Sequence, residues 1–130
     1  MKVSAIGKSG ISASVVGFGT AGIQETPNET SDSDKEIINT IHAAMDKGVN
    51  FIDTAHSYGT EEAVGEGIKG VTRDDVVIST KYHPAWDGEI HSNETIIAGL
   101  NESLQRLNLE YVDIFHLHGV HPKYYNYVME

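Results

Sequence analysis

Residues 50–81 have the sequence NFIDTAHSYGTEEAVGEGIKGVTRDDVVISTK, and this stretch decides the fold. Its first six residues predict a buried strand that carries Asp53 near its end, and Tyr58 follows in the next loop. A second apolar strand is predicted over 75–81 and ends on Lys81. Charged groups at the ends of successive strands are unfavourable in a core, whereas the carboxyl ends of barrel strands are where active sites lie.

The rest of the chain continues this alternation of strand and helix. A glycine-bounded turn at 7–10 lies between two short runs and predicts an N-terminal hairpin. Further strands are predicted over 15–20 and 111–118, so that apolar strands alternate with helices and form a parallel sheet covered by helices. The other predicted segments are a polar loop over 21–33, a helix capped by Ser33 and Glu36, a helix over 61–69, a loop over 82–91, a helix capped by Ser92 or Asn93 with Ile96, Ile97, Leu100, Leu104 and Leu107 inward, and the start of a helix at 122–130.

The spacing of the strands leaves two α/β folds open. One strand-helix unit recurs every 25 to 36 residues, which suits a doubly wound sheet or part of a (β/α)₈ barrel. Gly17, Gly19 and Gly22 have the spacing of a dinucleotide-binding fingerprint, but no helix is predicted to start there. This argues against a Rossmann site. The length of 130 residues suits one domain over 1–130.

Composition excludes several classes of function. The net charge is −10, from 9 lysines and arginines and 19 aspartates and glutamates, which disfavours binding to nucleic acid or to anionic lipid. There is no cysteine, so disulfides and thiolate metal sites are excluded. No apolar run has the length of a membrane helix or a signal peptide, and we expect a cytoplasmic protein.

Four polar residues are expected to converge at one mouth of a barrel. Asp53 and Lys81 end neighbouring strands, Tyr58 lies in the loop above them, and His118 ends the next strand. An ammonium beside a phenol favours its ionised form, so the tyrosine can give a proton to a carbonyl oxygen or take one from an alcohol. A histidine beside it can polarise the same oxygen. Each residue also has a purely structural explanation. Asp53 could form an ion pair at the strand end, and Tyr58 could be a packed loop residue. Lys81 could extend to solvent, and His118 could be a hydrogen-bonded structural histidine.

The motifs that contain these residues resemble those of the aldo-keto reductases. GKSG at 7–10 and GFGT at 17–20 look like the start of that family. DTAHSYGTE at 53–61 is similar to its most diagnostic motif. STK at 79–81 is similar to its lysine strand, and DIFHLH at 113–118 to its histidine strand. The resemblance covers the whole chain and implies the N-terminal half of a (β/α)₈ barrel, about four of eight strands, behind a short hairpin.

The resemblance also implies an activity. It implies an oxidoreductase that reduces aldehyde and ketone carbonyls to alcohols by hydride transfer from NADPH, with NADH as an alternative cofactor. The family's catalytic residues would fall on Asp53, Tyr58, Lys81 and His118. Tyr58 would be the proton donor, His118 would orient the carbonyl, and Lys81, paired with Asp53, would tune Tyr58.

Further contacts are implied around these four residues. Gly19, Thr20 and Asp53 would lie near the nicotinamide or its ribose, and Trp86 would be a wall of the substrate pocket. HGV at 118–120 departs from the bulkier aromatic-proline continuation common in the family, which bears on the range of substrates.

Four strands are fewer than a closed barrel requires. A barrel of this type has about 250 residues, and the family's nucleotide-phosphate site is built from its last strands. The outer strands 15–20 and 111–118 are apolar and would leave open edges that invite pairing. We therefore expect a truncated or split product whose second half comes from a partner, or two copies that pair their edges.

Two other functions compete with reduction. His116 and His118 share one face of a strand and, with His83 and Asp53, could bind zinc for metal-assisted hydrolysis. Lys81 would oppose a cation there. The other competitor is a half-barrel without catalysis, which would act as an interaction module and keep the four residues as an inheritance.

Overall fold

The computed structural model describes residues 1–22 and 30–129. The predicted hairpin is present: β1 (Val3–Ala5) pairs antiparallel with β2 (Ser12–Ser14). Asn50 fastens this hairpin, because its side-chain oxygen accepts from the Ser14 amide (2.6 Å) and its own amide donates to the Ser14 hydroxyl (3.1 Å). Asn50 precedes the second strand of the main sheet, so the hairpin covers the amino end of that sheet.

A parallel sheet forms the centre of the fold. Gly19 pairs with Asp53, Asp53 with Ser79, and Lys81 with His116, so the carboxyl ends of the strands meet at one edge. A parallel sheet of this kind is the predicted fold class. Its strands, in spatial order, are β3 (Phe18–Gly19), β4 (Phe51–Asp53), β5 (Val77–Tyr82) and β8 (Ile114–Leu117).

The helices are α1 (Thr30–Asp46), α2 (Glu61–Gly67), α3 (Asn93–Leu107) and α4 (Tyr125–Met129). The predicted N-cap at Ser33 is wrong, because α1 already begins at Thr30 and places Ser33 in its first turns. Residues 23–29 of the predicted loop lie outside the described residues. The cap of α3 is confirmed, since the Ser92 hydroxyl accepts from the Thr95 amide. The buried core consists of Ile37, Ile41, Ile52, Ala63, Val64, Ile68, Val76, Ile78 and Leu107.

Helix α3 buries only part of the apolar face that the sequence predicted. Leu107 is buried and Ile96, Leu100 and Leu104 are half-buried, as predicted, but Ile97 is 58% exposed. The fully buried positions besides Leu107 are Gly99 and Ser103. The physical reason is close packing on β5: a Cβ at Gly99 would lie 2.2 Å from the Tyr82 ring. Small residues at this face let the helix approach the sheet, and this outweighs the burial of another isoleucine.

The predicted loop over 82–91 contains a small hairpin. β6 (Ala85–Trp86) pairs antiparallel with β7 (Glu89–Ile90). Asp87 (φ 49°) and Gly88 (φ 87°) make the turn, and two residues with positive φ are typical of tight two-residue hairpins. The Asp-Gly pair between two short apolar segments was the signal for this hairpin in the sequence.

In the described part of the chain, β3 and β8 are the outer strands of the main sheet. The first predicted strand, 15–20, is shortened to Phe18–Gly19 because Val15 and Val16 are exposed and lie outside the pairing. β8 is half-buried at Ile114 and Phe115 and exposed at His116 and Leu117, although strands of parallel sheets are normally buried on both faces. Within residues 1–22 and 30–129, no helix has the length and hydrophobicity needed to cross a membrane.

Candidate active site

Lys81 lies at the centre of a polar cluster at the carboxyl edge of the sheet. Its ammonium donates to Asp53 Oδ2 (2.5 Å) and to the Thr54 carbonyl (2.8 Å), and it lies 3.5 Å from the Tyr58 hydroxyl. The strand register explains the contact with Asp53. Asp53 pairs with Ser79, and Lys81 lies two residues after Ser79 on the same face of the strand. The three donors of the ammonium thus have three partners.

Asp53 is held at both carboxylate oxygens. Oδ2 accepts from Lys81, and Oδ1 accepts from the Ser79 hydroxyl at 2.8 Å. Ser79 was part of the recognised motif, but sequence reasoning gave it no role. Its position on the same face as Lys81, two residues earlier, was the available signal.

Tyr58 reaches the cluster from a short 3-10 helix, His56–Tyr58. The turn ends at Gly59, whose φ of 69° is in the left-handed region that favours glycine. The Tyr58 ring meets the His118 ring edge-on, with the centroids 5.5 Å apart and the planes at 83°. The structure therefore brings together all four residues that the sequence placed at strand ends or just beyond them: Asp53, Tyr58, Lys81 and His118.

His118 is a partly buried histidine whose surroundings favour the neutral imidazole. Its ring Nδ1 is 3.5 Å from the Ser57 hydroxyl, and its amide donates to the Tyr82 carbonyl. Burial is the main cause that lowers the pKa of His118, and the nearby charges of His83 and Lys81 add to this effect, while Asp53 opposes it. A neutral imidazole has one N–H donor and one acceptor.

Gly19 and Thr20, the two other predicted cofactor contacts, differ in their surroundings. A Cβ at Gly19 would meet nothing within 4 Å, so this strand end is open to a ligand. The Thr20 side chain is fully buried, and its hydroxyl contacts those of Thr60 (2.7 Å) and Thr54 (3.0 Å). The Thr20 amide donates to the Asp53 carbonyl (3.1 Å), so the three threonines lie beside Asp53, and a cofactor contact by Thr20 stays a prediction.

The residues present fit the nicotinamide end of a dinucleotide. The strand end at Gly19 is open, and it pairs with Asp53 beside the Lys81 ammonium. The same ammonium is fully engaged by its three partners, so phosphate groups would need cations from outside this cluster.

An open cavity of about 260 Å³ adjoins the cluster. Trp86, the predicted pocket wall, is 59% exposed and packs on His83 with ring centroids 4.6 Å apart. Its position on the β6–β7 hairpin places it at the rim of the cavity. The residues that line the cavity are His56, Ser57, Tyr82, His83, Trp86 and His91.

The zinc alternative gains no support from the geometry. Among residues 1–22 and 30–129, no three or more histidine, aspartate or glutamate side chains are arranged to hold a metal ion. His116 is exposed on β8, whereas His118 faces the cluster that contains the Lys81 ammonium.

The two histidines predict how stability depends on pH. The pKa of His118 and that of His83 are both lowered from 6.5, in each case mainly by burial. The unfolded chain therefore binds more protons than the folded chain as the pH falls through about 6.5, so the free energy of unfolding decreases. We expect a lower urea midpoint at about pH 5.5 than at about pH 7.5.

The control for this pH dependence is the variant His83→Phe, in which one of the two shifted groups is removed. Its urea midpoint should change less between the same two pH values than that of the parent chain. A parent chain that becomes more stable on acidification would contradict the expectation.

The comparisons with known proteins agree on one family. A model of the family described as "Aldo/keto reductase family" matches residues 15–130. "Aldo-keto reductase YhdN" of Bacillus subtilis (strain 168) is 38% identical over an alignment that covers 94% of this chain and 39% of that protein. "NADH-specific methylglyoxal reductase" of Escherichia coli (strain K12) is 35% identical over an alignment that covers 91% of this chain and 42% of that protein.

A solved structure gives the same result for the fold. The thermostable aldo-keto reductase Tm1743, in complex with the inhibitor epalrestat, matches with a TM-score of 0.80 and 32% identity over 95% of this chain and 44% of that one. The structural neighbours are TIM barrels, so the prediction of a partial (β/α)₈ barrel behind an N-terminal hairpin is confirmed. The chain spans about two fifths of the length of these relatives.

Proposed function

This chain belongs to the aldo/keto reductase family of NAD(P)H-dependent oxidoreductases, and from that premise we propose that its polar cluster reduces aldehyde or ketone carbonyls to alcohols. The observation that carries the proposal is the set of contacts of Lys81, whose ammonium joins Asp53 and the Tyr58 hydroxyl. A cation beside a phenol stabilises the phenolate and so favours transfer of the phenol's proton. An ion pair with a purely structural role would not require a phenol beside it.

Tyr58 is the proton donor in this proposal. Its hydroxyl lies 3.5 Å from the Lys81 ammonium, and catalytic hydrogen bonds often shorten only when the substrate binds. The positive charge stabilises the phenolate that remains after the proton has moved to the substrate oxygen. Asp53, held by Ser79, keeps the ammonium in place and supplies the opposite charge.

His118 orients the substrate carbonyl. The neutral imidazole keeps one N–H, which can donate to the same oxygen that Tyr58 protonates. The edge-on contact of the two rings allows both groups to reach one oxygen atom. A bound reduced nicotinamide would supply the hydride, and Gly19 leaves room for it at the end of β3.

NADPH is the proposed cofactor, with NADH as the alternative. The name of the Escherichia coli relative describes an NADH-specific enzyme, so membership of the family does not decide between the two. The engaged Lys81 and the net charge of −10 mean that a phosphate-binding site needs basic residues or helix termini from elsewhere.

We propose that further strands complete the site. Among the described residues nothing pairs with the outer edges of β3 and β8, and the chain covers about two fifths of its relatives. A polypeptide that corresponds to the second half of the barrel, or a second copy of this chain, would pair with these edges. Without it the chain would be a half-barrel that carries the cluster but lacks a phosphate site, which is the second candidate function.

Calorimetric titration of NADPH, and then of NADH, into the 130-residue chain tests the proposal. The molecular mass in solution is measured on the same sample. Saturable binding in the micromolar range is the expected result for an assembly that completes the phosphate site. No heat with either nucleotide would mean that the chain does not bind the cofactor by itself, and the half-barrel function would replace reduction for this chain.

A further inference from the structure

His83 has a position beside the catalytic cluster that the proposed reaction does not yet use. It follows the last residue of β5 directly, and its partly buried ring lies almost parallel to that of His118. The ring centroids are 4.2 Å apart and the planes differ by 17°. Trp86 contacts the His83 ring as well, at 4.6 Å and 59°. Three aromatic rings therefore run from the rim of the cavity to the cluster.

The backbone explains why the two imidazoles meet. The His118 amide donates to the Tyr82 carbonyl (2.8 Å), so the chain just beyond β8 lies beside the chain just beyond β5. The ring of His91 donates from Nδ1 to the His83 carbonyl (2.9 Å) and holds that segment against the β6–β7 hairpin. The position of the His83 ring is thus fixed by two neighbouring strands.

We propose that His83 is a positioning residue, whose ring stack fixes the plane of the His118 imidazole and so directs its edge toward Tyr58. The inference rests on the proposed function of the cluster, because it assigns His83 a role through His118. Besides the stack, the His118 ring lies 3.5 Å from the Ser57 hydroxyl and meets the Tyr58 ring edge-on. The stack adds a flat contact on the face of the imidazole, and this contact restrains the tilt of the ring plane.

The stack also affects the charge state of His118. Two imidazolium ions at this separation would repel each other, so the pair resists double protonation. Burial is the largest cause that lowers the pKa of His118, and the charge of His83 is the second largest. Lys81 and His116 also lower this pKa, whereas Asp53 raises it. The pKa of His83 is lowered by burial, with smaller contributions from His91 and His56 against a backbone hydrogen bond with His118.

Two substitutions separate positioning from mere filling of space. His83→Phe keeps a flat ring for the stack but removes the second imidazole. His83→Ala removes both the ring and its charge. In the alanine variant we expect the His118 ring signals to shift, and its pKa to rise toward the ordinary value. In the phenylalanine variant the ring signals should change less, because the stack persists.

The measurement is an NMR titration of the imidazole nitrogens and carbons in the isotopically labelled 130-residue chain. His121→Ala serves as the matched control, since His121 is exposed and its Nδ1 accepts from the Lys123 amide. His118 signals and pKa in His83→Ala equal to those of the parent chain would overturn the proposal. Equal changes of the His118 ring signals in the alanine and phenylalanine variants would overturn it as well, because the stack would then contribute nothing.

This NMR measurement needs neither cofactor nor turnover, so its outcome does not depend on whether the proposed reaction takes place. A response of His118 in a chain whose Tyr58 proves dispensable for reduction would support positioning and refute the function. In an assembly that turns over, His83→Ala should lower kcat by roughly 10- to 100-fold with the Kd of the cofactor unchanged, since misplacement of a catalytic group acts on the reaction step. Equal changes in kcat for His83→Phe and His83→Ala would contradict the proposal in that assembly.

Discussion

Substitution of Tyr58 by phenylalanine is expected to lower kcat for carbonyl reduction by about 10² to 10⁴-fold, the usual contribution of a general acid. The change removes one oxygen atom, 3.5 Å from the Lys81 ammonium, and leaves the ring that contacts His118. Binding of the cofactor should be unchanged, because Lys81 keeps its contacts with Asp53 and the Thr54 carbonyl. The loss should therefore appear in kcat and not in the Kd of the nucleotide.

The rate is measured as loss of the reduced nicotinamide with para-nitrobenzaldehyde as probe, in the assembly of this chain that binds the nucleotide. Tyr111→Phe is the matched control: its hydroxyl lies 3.4 Å from Asp74, outside the cluster, and a phenylalanine ring can keep the contact with the Arg73 guanidinium. That variant should retain the rate of the parent chain. Full activity of Tyr58→Phe would exclude Tyr58 as the proton donor.

The arrangement of the cluster could be predicted because it depends on strand order alone. Asp53 and Lys81 lie at the ends of strands that follow each other in the chain, and parallel pairing places such ends at one edge. Tyr58 follows Asp53 after a short turn, so its side chain can reach only positions close to the end of that strand. These contacts need only a parallel sheet, which alternating apolar strands and helices already predict.

Other features could not be predicted, because they depend on how closely elements approach each other. The apolar pattern predicted an inward position for Ile97, but the short distance between α3 and Tyr82 selects Gly99 and Ser103 for the buried face. His83 lies in a segment predicted as loop, and its stack on His118 results from the register of β5 against β8. Hydrophobic periodicity carries no information on either distance.

Glu61 shows how the scaffold keeps the cluster in place. Its side chain is fully buried, and Oε1 accepts from the Thr80 hydroxyl at 2.6 Å. Oε2 accepts from Arg106 Nε at 2.8 Å. This carboxylate joins the start of α2 to α3 and to β5 at the residue before Lys81. A change at Glu61 should therefore act on the stability of the fold before it acts on chemistry.

The variant Glu61→Gln is expected to lower the free energy of unfolding by about 3–5 kcal/mol, the cost of removing one partner of a buried ion pair. The amide oxygen can still accept from Thr80, but the amide nitrogen then faces the Arg106 guanidinium, so two donors oppose each other and the guanidinium loses its buried counter-charge. Urea unfolding followed by circular dichroism should show a midpoint lower by roughly 2 M.

Glu66→Gln on the same helix makes the same chemical change at an exposed site. Its carboxylate is 57% exposed and pairs with Lys69 at 2.8 Å, so the loss should stay below about 1 kcal/mol. The contrast between the two variants isolates burial as the cause, since both remove one negative charge from an acidic chain and both leave a cation without its partner. If Glu61→Gln costs no more than Glu66→Gln, the guanidinium of Arg106 is sufficiently stabilised by solvent and by Glu102, 3.9 Å away, and the buried pair does not hold α2 against α3.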